Sequence, residues 1–313
     1  MRSVLQRRPC PPFELMTNLE DPNDERDPTL DDAVLGDGAE PSQSQPQGKA
    51  YALSRLALRV AGVLPPAVQR TIRTGWAGPL ARRMLDLAAP AGRYEVLEVR
   101  SGLMKGALLR VDVRKQREMI AGSYESEVQE ALARSLGKGQ VVYDVGAHLG
   151  FFTLLMARLV GDEGRVFALE PDPFMGPALE ANVRLNGVTN VSIIRAAAGR
   201  SAGKRRFSPG GGSGIGHLAD EGELAVEATT IDDLSGSLGS PDLIKVDVEG
   251  GELEVLEGAR ETLAQRKTVL VVELHGPEYE VAATELLAGL GYSIDFVQDD
   301  PSQRRHLVAA PAG

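Results

Sequence analysis

The spacing of apolar residues divides the chain into four stretches. Residues 1–48 are rich in Pro, Asp, Glu, Gln and Ser and hold few clustered apolar positions. They bury too little surface to offset the entropy of ordering, so a disordered leader is expected. Between 49 and 93, Leu53, Leu56, Val60 and Val63 recur at helical spacing, Arg55 and Arg59 share another face, and Pro65-Pro66 stops the helix. A second basic helical stretch runs from about Ala67 to Leu87. This extension reads as a helical cap over a domain edge or a dimer partner, with a substrate lid or a membrane-surface helix as sharper alternatives. Residues 94–122 alternate apolar and polar side chains around Ser101-Gly102 and Lys105-Gly106, which predicts a β-hairpin insert.

From 123 to 313 the pattern changes period repeatedly. A helix over 124–136, ended by Gly137 and Gly139, precedes strand 141–145, helix 151–160, strand 165–169, helix 174–186 and strand 191–196. Hairpin-like strands near 204–208 and 224–229 follow, then strand 242–247, helix 251–264, strand 268–274, helix 279–290 and strands near 292–297 and 305–310. Strands alternating with helices predict an α/β domain with a mostly parallel sheet covered on both faces. The last two strands read as an antiparallel edge pair. The glycine-rich Pro209 to Gly216 lacks the Lys-Ser/Thr ending of a phosphate-binding loop and reads as a surface loop or a mobile loop over a substrate mouth.

One segment narrows the ligand. Val141 to Val145 is a short apolar run suited to a buried parallel strand, and Gly146 and Gly150 let the chain turn tightly into a helix beginning near Phe151. The next strand ends at Glu170, about twenty residues on, where an acid can accept hydrogen bonds from both hydroxyls of a ribose. A dinucleotide fingerprint needs a further glycine inside the loop so that the main chain can approach a pyrophosphate. Ala147 and His148 stand there instead. A nucleoside without phosphates removes that need, which favours S-adenosyl-L-methionine over a nicotinamide cofactor.

Composition adds limits. A chain of 313 residues with 42% apolar composition holds one main domain plus extensions. Its single cysteine, Cys10, excludes an internal disulfide framework and suits a reducing compartment, so the cytoplasm is the expected location. There is neither an apolar run long enough for a membrane span nor a signal-peptide pattern. The net charge of -10 argues against a nucleic-acid substrate. It is uneven: residues 1–48 carry four basic and ten acidic groups, whereas 49–93 carry eight basic groups against Asp86 alone.

In an open parallel sheet the ligand lies beyond the carboxyl ends of the strands. Asp144 and Glu170 close the first two strands. The fourth ends Lys245-Val246-Asp247-Val248-Glu249, where an extended chain puts Asp247 and Glu249 on one face. Lys245 shares that face and is expected to pair with a buried carboxylate. The fifth ends Glu273-Leu274-His275, again with two side chains on one face. At neutral pH a histidine can take the proton of an attacking hydroxyl, so His275 is the leading general base, with Asp247, Glu249 and Glu273 beside it. The alternative is a histidine that merely anchors a loop and carboxylates that cap the next helix. A divalent cation held by Asp247, Glu249, Glu273 and His275 is the less favoured reading, because their spacing is not a ligand motif, and no residue is assigned to a metal. His217 and His306 lack comparable company in the sequence.

These residues resemble the FkbM-family methyltransferases, class I enzymes that use S-adenosylmethionine. The resemblance rests on Gly-Ser-Tyr-Glu at 122–125, Tyr-Asp-Val-Gly-Ala-His-Leu-Gly at 143–150, Ala-Leu-Glu-Pro at 168–171, Asn182 through Asn186, Ala-Ala-Ala-Gly at 196–199, the block from Asp242 to Leu256, and Val-Glu-Leu-His at 272–275. It covers about residues 115 to 297, with the block around Lys-Val-Asp-Val-Glu-Gly-Gly-Glu its most specific part. It implies a Rossmann-like seven-stranded sheet whose last strand is antiparallel. It also implies donor contacts from Tyr124, Glu125, Asp144, Gly146, Ala147, His148, Gly150, Glu170, Ala196 and Ala197, a set extended here to Phe151, Pro171, Asp172 and Asp247. His148 stands where the family more often has Asn, and Gly251 where it usually has Ala. The expected reaction is methylation of a hydroxyl on a carbohydrate or secondary metabolite, so the partner is a small-molecule or glycan acceptor, with homo-oligomers open. N-methylation of a peptide or protein and a non-catalytic scaffold are the alternatives.

Overall fold

The computed structural model describes residues 94–209, 216–218, 221–297 and 305–313, together with the main chain of Met16–Thr17 (β1). The expected leader and basic helical extension otherwise lie outside the described residues, as do 210–215 of the glycine-rich loop. The chain divides into two units, one of which contains Asp24–Tyr124 and the other Glu125–Gly313 with the first 23 residues.

In the smaller unit Tyr94–Glu98 (β2) and Leu108–Asp112 (β3) form an antiparallel hairpin with Tyr94 opposite Asp112. A short helix absent from the sequence reading, Arg117–Ala121 (α1), follows and ends at Gly122. It is tied to the hairpin by the Arg100 amide, which donates to the Ile120 carbonyl at 3.0 Å. Alternation in the hairpin carries the inward set Leu109 and Val111, both fully buried.

The larger unit opens with Ser126–Ser135 (α2) and then alternates strand and helix: Val141–Val145 (β4), Phe151–Val160 (α3), Arg165–Leu169 (β5), Met175–Leu185 (α4) and Val191–Ile194 (β6). β6 is shorter than its apolar run suggests. The Ala196 amide turns back onto the Ile194 carbonyl, and the chain leaves the main sheet to form Ala197–Ala198 (β7) in a second one. That sheet has the order β7-β10-β8-β9, with Gly203–Ser208 (β8), His217–Leu218 (β9) and Leu224–Thr229 (β10). Ile231–Leu238 (α5) comes next. Its start is fixed by Thr230, whose hydroxyl accepts the Asp233 amide at 2.9 Å, with Asp232 and Asp233 in the first turn facing the positive end of the helix dipole.

Leu243–Val246 (β11) returns to the main sheet. The single helix expected over 251–264 is two, Glu252–Glu257 (α6) and Arg260–Ala264 (α7). The break falls at Gly258, where a Cβ would stand 2.1 Å from the Gly199 carbonyl oxygen, so the chain crosses there at a distance only glycine allows. Val269–Leu274 (β12), Pro277–Gly289 (α8), Tyr292–Phe296 (β13) and Arg305–Pro311 (β14) complete the unit.

The main sheet has the order β1-β6-β5-β4-β11-β12-β14-β13. Pairings from β6 to β12 are parallel, β14 is antiparallel to both of its neighbours, and β1 adds a two-residue antiparallel edge to a seven-stranded, Rossmann-like sheet. Both faces of the parallel strands are sealed by apolar residues: Val142, Val145, Val166, Leu169, Ile244, Val246, Val271 and Val272 are all essentially inaccessible to solvent. The chain winds from β4 outward through β5 to β6 and returns on the other side of β4 at β11. The strand order therefore reverses between β4 and β11, where α/β sheets open a ligand crevice. Among the described residues no helix is long and apolar enough to cross a membrane.

Candidate active site

The loop after β4 is fixed by its own amides. Those of Gly146 and Ala147 both donate to the Leu169 carbonyl at 3.0 Å, that of His148 donates to Glu170 Oε2 at 2.6 Å, and that of Gly150 donates to the Ala147 carbonyl. These donors cannot cradle a phosphate, so the loop is built for a nucleoside without one. Gly146 has a φ of +84°, and a Cβ there would lie 1.7 Å from the Asp247 carbonyl oxygen. The donor loop and the end of β11 thus touch main chain to main chain. His148 also takes a left-handed φ, +52°.

Glu170 lies across this loop. Oε2 accepts the His148 amide, Oε1 accepts the Asp172 amide at 2.9 Å, and each oxygen keeps a second lone pair. Burial raises its pKa to about 7, against the lowering effect of the two amides, with the charges of Asp172 and Asp144 pushing further upward. Asp172 in turn accepts the Phe174 amide and shapes the turn into α4; Pro171 lies between the two acids. At the next strand end Ala196 and Ala197 are buried, and their small side chains line the turn from β6 to β7.

The centre of the crevice holds buried charge. Asp144 is fully buried and accepts the Thr153 hydroxyl at 2.5 Å, while its Oδ1 has no hydrogen-bond partner among the described residues. Burial raises its pKa, with Lys245 opposing. In the register Lys245 stands opposite Asp144. The expected pairing of Lys245 is with Asp247, Nζ to Oδ2 at 3.1 Å, and its ammonium lies 4.7 Å from the Phe152 ring centroid. Phe151, whose own ring packs edge-on against Phe152, is buried.

Asp247, Glu249, Glu273 and His275 come together, though not for the expected reason in one case. Glu249 has a φ of +52°. The chain has left the extended conformation there, so it is a turn and not strand alternation that swings the Glu249 carboxylate back toward Asp247. Ligand atoms of Asp247, Glu249 and His275 lie within 4.8 Å of one another, close enough to share a proton or a small cation. His275 Nδ1 meets Glu252 Oε1 at 2.6 Å, and Nε2 meets Glu249 Oε2 at 3.1 Å and Glu273 Oε1 at 3.5 Å. Burial alone would lower the pKa of this imidazole, but the Glu252 hydrogen bond and the charges of Glu273, Glu249 and Glu252 raise it.

Two residues that sequence reasoning missed belong to this cluster. Glu252, at the first turn of α6 with no exposed side chain, accepts the Gly250 amide as well as facing His275. A glutamate opening a helix reads as ordinary dipole compensation, which hides its second role. His306 is the other, and the expectation that it lacks company is corrected. It is buried between Glu125 Oε2 at 3.4 Å and Glu273 Oε2 at 3.6 Å. Glu125, expected at the donor, thus directs that oxygen at His306. Tyr124 ends the smaller unit, its amide donating to the Glu118 carbonyl.

Comparison with known proteins bears directly on this arrangement. The family model of the methyltransferase FkbM domain matches residues 144–298. Hexuronic acid methyltransferase AglP of Haloferax volcanii is 31% identical over 179 residues, which span 56% of this chain and 72% of that protein. The chain belongs to the FkbM methyltransferase family. Another relative, 31-O-demethyl-FK506 methyltransferase FkbM of Streptomyces tacrolimicus, is 30% identical over 216 residues, 56% of this chain and 82% of that protein. A crystal structure of methyltransferase FkbM from Methylobacillus flagellatus KT aligns at 19% identity with a TM-score of 0.44, over 64% of this chain and 56% of that one.

The cofactor of this methyltransferase is S-adenosylmethionine, and the residues present fit it. The amides of Gly146, Ala147, His148 and Gly150 are committed within the protein, the Glu170 oxygens retain lone pairs suited to a ribose diol, and the buried Asp144 Oδ1, without a hydrogen-bond partner among the described residues, can accept one from a ligand. Ribose hydroxyls donate best to an ionised Glu170, and its pKa is about 7. Donor binding is therefore expected to strengthen as pH rises through neutrality, with Kd about tenfold lower near pH 8 than near pH 6. Calorimetric titration at the two pH values measures this, and in Glu170→Gln binding is expected to be weaker and flat with pH.

Proposed function

We propose that this methyltransferase transfers the sulfonium methyl of S-adenosylmethionine to a hydroxyl of a carbohydrate or secondary metabolite, and that His275 takes the acceptor's proton. The observation that carries this is the gradient of burial through the cluster. The Asp247 and Glu249 side chains are 19% exposed and His275 is 10% exposed, whereas Glu273 and Glu252 are sealed at 2% and 0%. An acceptor therefore meets Asp247, Glu249 and the edge of His275, and the other two acids act from behind.

Glu252 fixes the tautomer. Nδ1–H donates to its carboxylate, which leaves the Nε2 lone pair next to Glu249; Nε2 is itself sealed, so an acceptor hydroxyl reaches it by displacing the partly exposed Glu249 carboxylate. When bound, S-adenosylmethionine supplies a methyl group on a positively charged sulfur that is already a good leaving group. Held by Glu170 and the loop after β4, the donor would give up that methyl to the acceptor oxygen and the electron pair of the carbon–sulfur bond would stay on sulfur. The hydroxyl proton passes to Nε2, and the imidazolium so formed lies among Glu249, Glu252 and Glu273, which stabilise it. The chain's remaining task is alignment: Asp247, pinned to Lys245, and Glu249, held in its turn, orient the hydroxyl.

The names of two relatives, a hexuronic acid methyltransferase and a 31-O-demethyl-FK506 methyltransferase, support an oxygen acceptor. The test is transfer of labelled methyl from S-adenosylmethionine to a panel of uronic acid glycosides, hydroxylated macrolides and amine-bearing peptides, with the site read by mass spectrometry. Label on a hydroxyl is expected. Label confined to peptide nitrogen, or donor binding without transfer to any member, would overturn the reading.

A further inference from the structure

Behind His275 lies a second buried histidine whose position is set by strand register. On the antiparallel pair β12–β14, Glu273 stands opposite His306. The two side chains point to the same side of the sheet and are 2% and 3% exposed. Glu125, the residue before α2, has a φ of +44° and brings its carboxylate to the same ring nitrogen, Nε2 of His306, that Glu273 meets. The Glu273 carboxylate therefore lies between two imidazoles, with Oε1 3.5 Å from His275 Nε2 and Oε2 3.6 Å from His306 Nε2. The two Nε2 contacts, at 3.4 and 3.6 Å, are long for hydrogen bonds, so charge adds to hydrogen bonding in the hold on both acids.

A buried ion set is a weak way to join two strands, since an apolar pair of similar volume is often as stable or more so. Its consequence for the reactive end is specific. Glu125 and Glu273, 18% and 2% exposed, are like charges at one ring nitrogen, and without the cation there the sealed Glu273 would be driven toward its protonated form. A protonated Glu273 no longer attracts the proton on His275.

We propose that His306 is a positioning residue of the transfer reaction: its buried positive charge keeps Glu273 ionised, and Glu273 in turn sets the orientation and proton affinity of His275. His306 touches neither donor nor acceptor and acts through Glu273. The proposal rests on the reading of His275 as the group that takes the acceptor's proton. The groups around each member are consistent with it. His275 faces Glu249 from the turn after β11, Glu252 from α6 and Glu273 from the end of β12; Glu273 faces His275, His306 and Glu125, with Lys245 of β11 also within electrostatic range. Burial would lower the His306 pKa, yet hydrogen bonding and charge from Glu125 and Glu273 raise it to about 9. Burial would raise that of Glu273, yet His306, with His275, brings it down to about 2 despite Glu125.

The test is an imidazole titration of the full chain labelled with nitrogen-15 in its four histidines, with the His275 signal assigned by its absence in His275→Gln. In His306→Gln the His275 midpoint is expected to fall by about one pH unit, and in His306→Lys, which keeps the charge, to stay near that of the parent. In a Glu273→Gln background, where the midpoint is already lowered, adding His306→Gln is expected to move it no further. An unmoved midpoint in folded His306→Gln, or an equal fall with and without Glu273, would overturn the proposal. If His306→Gln alone does not fold, Glu273→Gln against the parent decides, because an unmoved His275 there removes the link the proposal needs. The titration needs no acceptor, so it reads this coupling separately from the role of His275, which would fail instead by full turnover in a His275 variant.

Discussion

Replacing His275 with alanine is expected to lower kcat by about a hundred- to ten-thousandfold while leaving Kd for S-adenosylmethionine nearly unchanged. The split follows from place. His275 follows the end of β12 and faces the acceptor side, whereas the donor loop is held by Leu169, Glu170 and the close contact of Gly146 with Asp247. Alanine would also leave Glu252 facing an empty space, and a sealed carboxylate that loses its partner costs about 3–5 kcal/mol. His275→Gln separates the two effects: its amide can still donate to Glu252 and preserve the fold, but it cannot take a proton. Turnover is expected to stay low in the glutamine variant while its Tm returns toward that of the parent. At saturating donor, where the titration of Glu170 does not show, the parent should also display a rising limb of kcat/KM for the acceptor displaced above the ordinary imidazole value of 6.5, because the surrounding acids raise the pKa of His275 and only the neutral ring can accept a proton. That limb should vanish in both variants. Full turnover in His275→Gln would remove the histidine from the reaction.

How far the site could be read from the chain depended on how local each contact is. The strand, loop, helix and strand from Val141 to Leu169 are local, and their boundaries in the structure coincide with the apolar periods. Ala147 and His148 already signalled a loop without phosphate, and the committed amides are the physical form of that signal. Helix α5 was legible but unread: Thr230 followed by Ile231, Asp232 and Asp233 is a capping pattern. Glu249 was grouped with Asp247 by strand alternation, although a left-handed residue is what turns it inward. Glu252 and His306 were beyond reach. Glu252 meets a ring 23 residues away, and His306 meets Glu273 through the register of the final antiparallel pair, which periodicity does not fix when the connecting loop is long.

Gly146→Ala is expected to weaken donor binding by about a hundredfold or more, roughly 3 kcal/mol, and to lower Tm as well. Two effects combine. A side chain at a φ of +84° is strained by about 1–2 kcal/mol. The larger effect is contact: the added Cβ would stand 1.7 Å from the Asp247 carbonyl oxygen and 2.8 Å from its carbon, and both are main-chain atoms that no rotamer change can move aside. The loop must retreat or the end of β11 must shift. A retreating loop loses the paired amides on Leu169 and the His148 amide on Glu170, which are what hold Glu170 ready for a ribose. A shifting β11 carries Lys245 and Asp247 together away from Asp144 and the donor loop and disturbs the acceptor side, so kcat falls with affinity in either case. Gly139→Ala is the matched control, because Gly139 has a φ of +80° and nothing within 4 Å of an added Cβ. It carries the dihedral strain without the collision, and a modest loss of Tm with unchanged donor affinity is expected. Equal effects of the two substitutions on donor binding, measured by calorimetry, would show that strain alone governs the loop and that the contact between Gly146 and Asp247 does not join the two halves of the site.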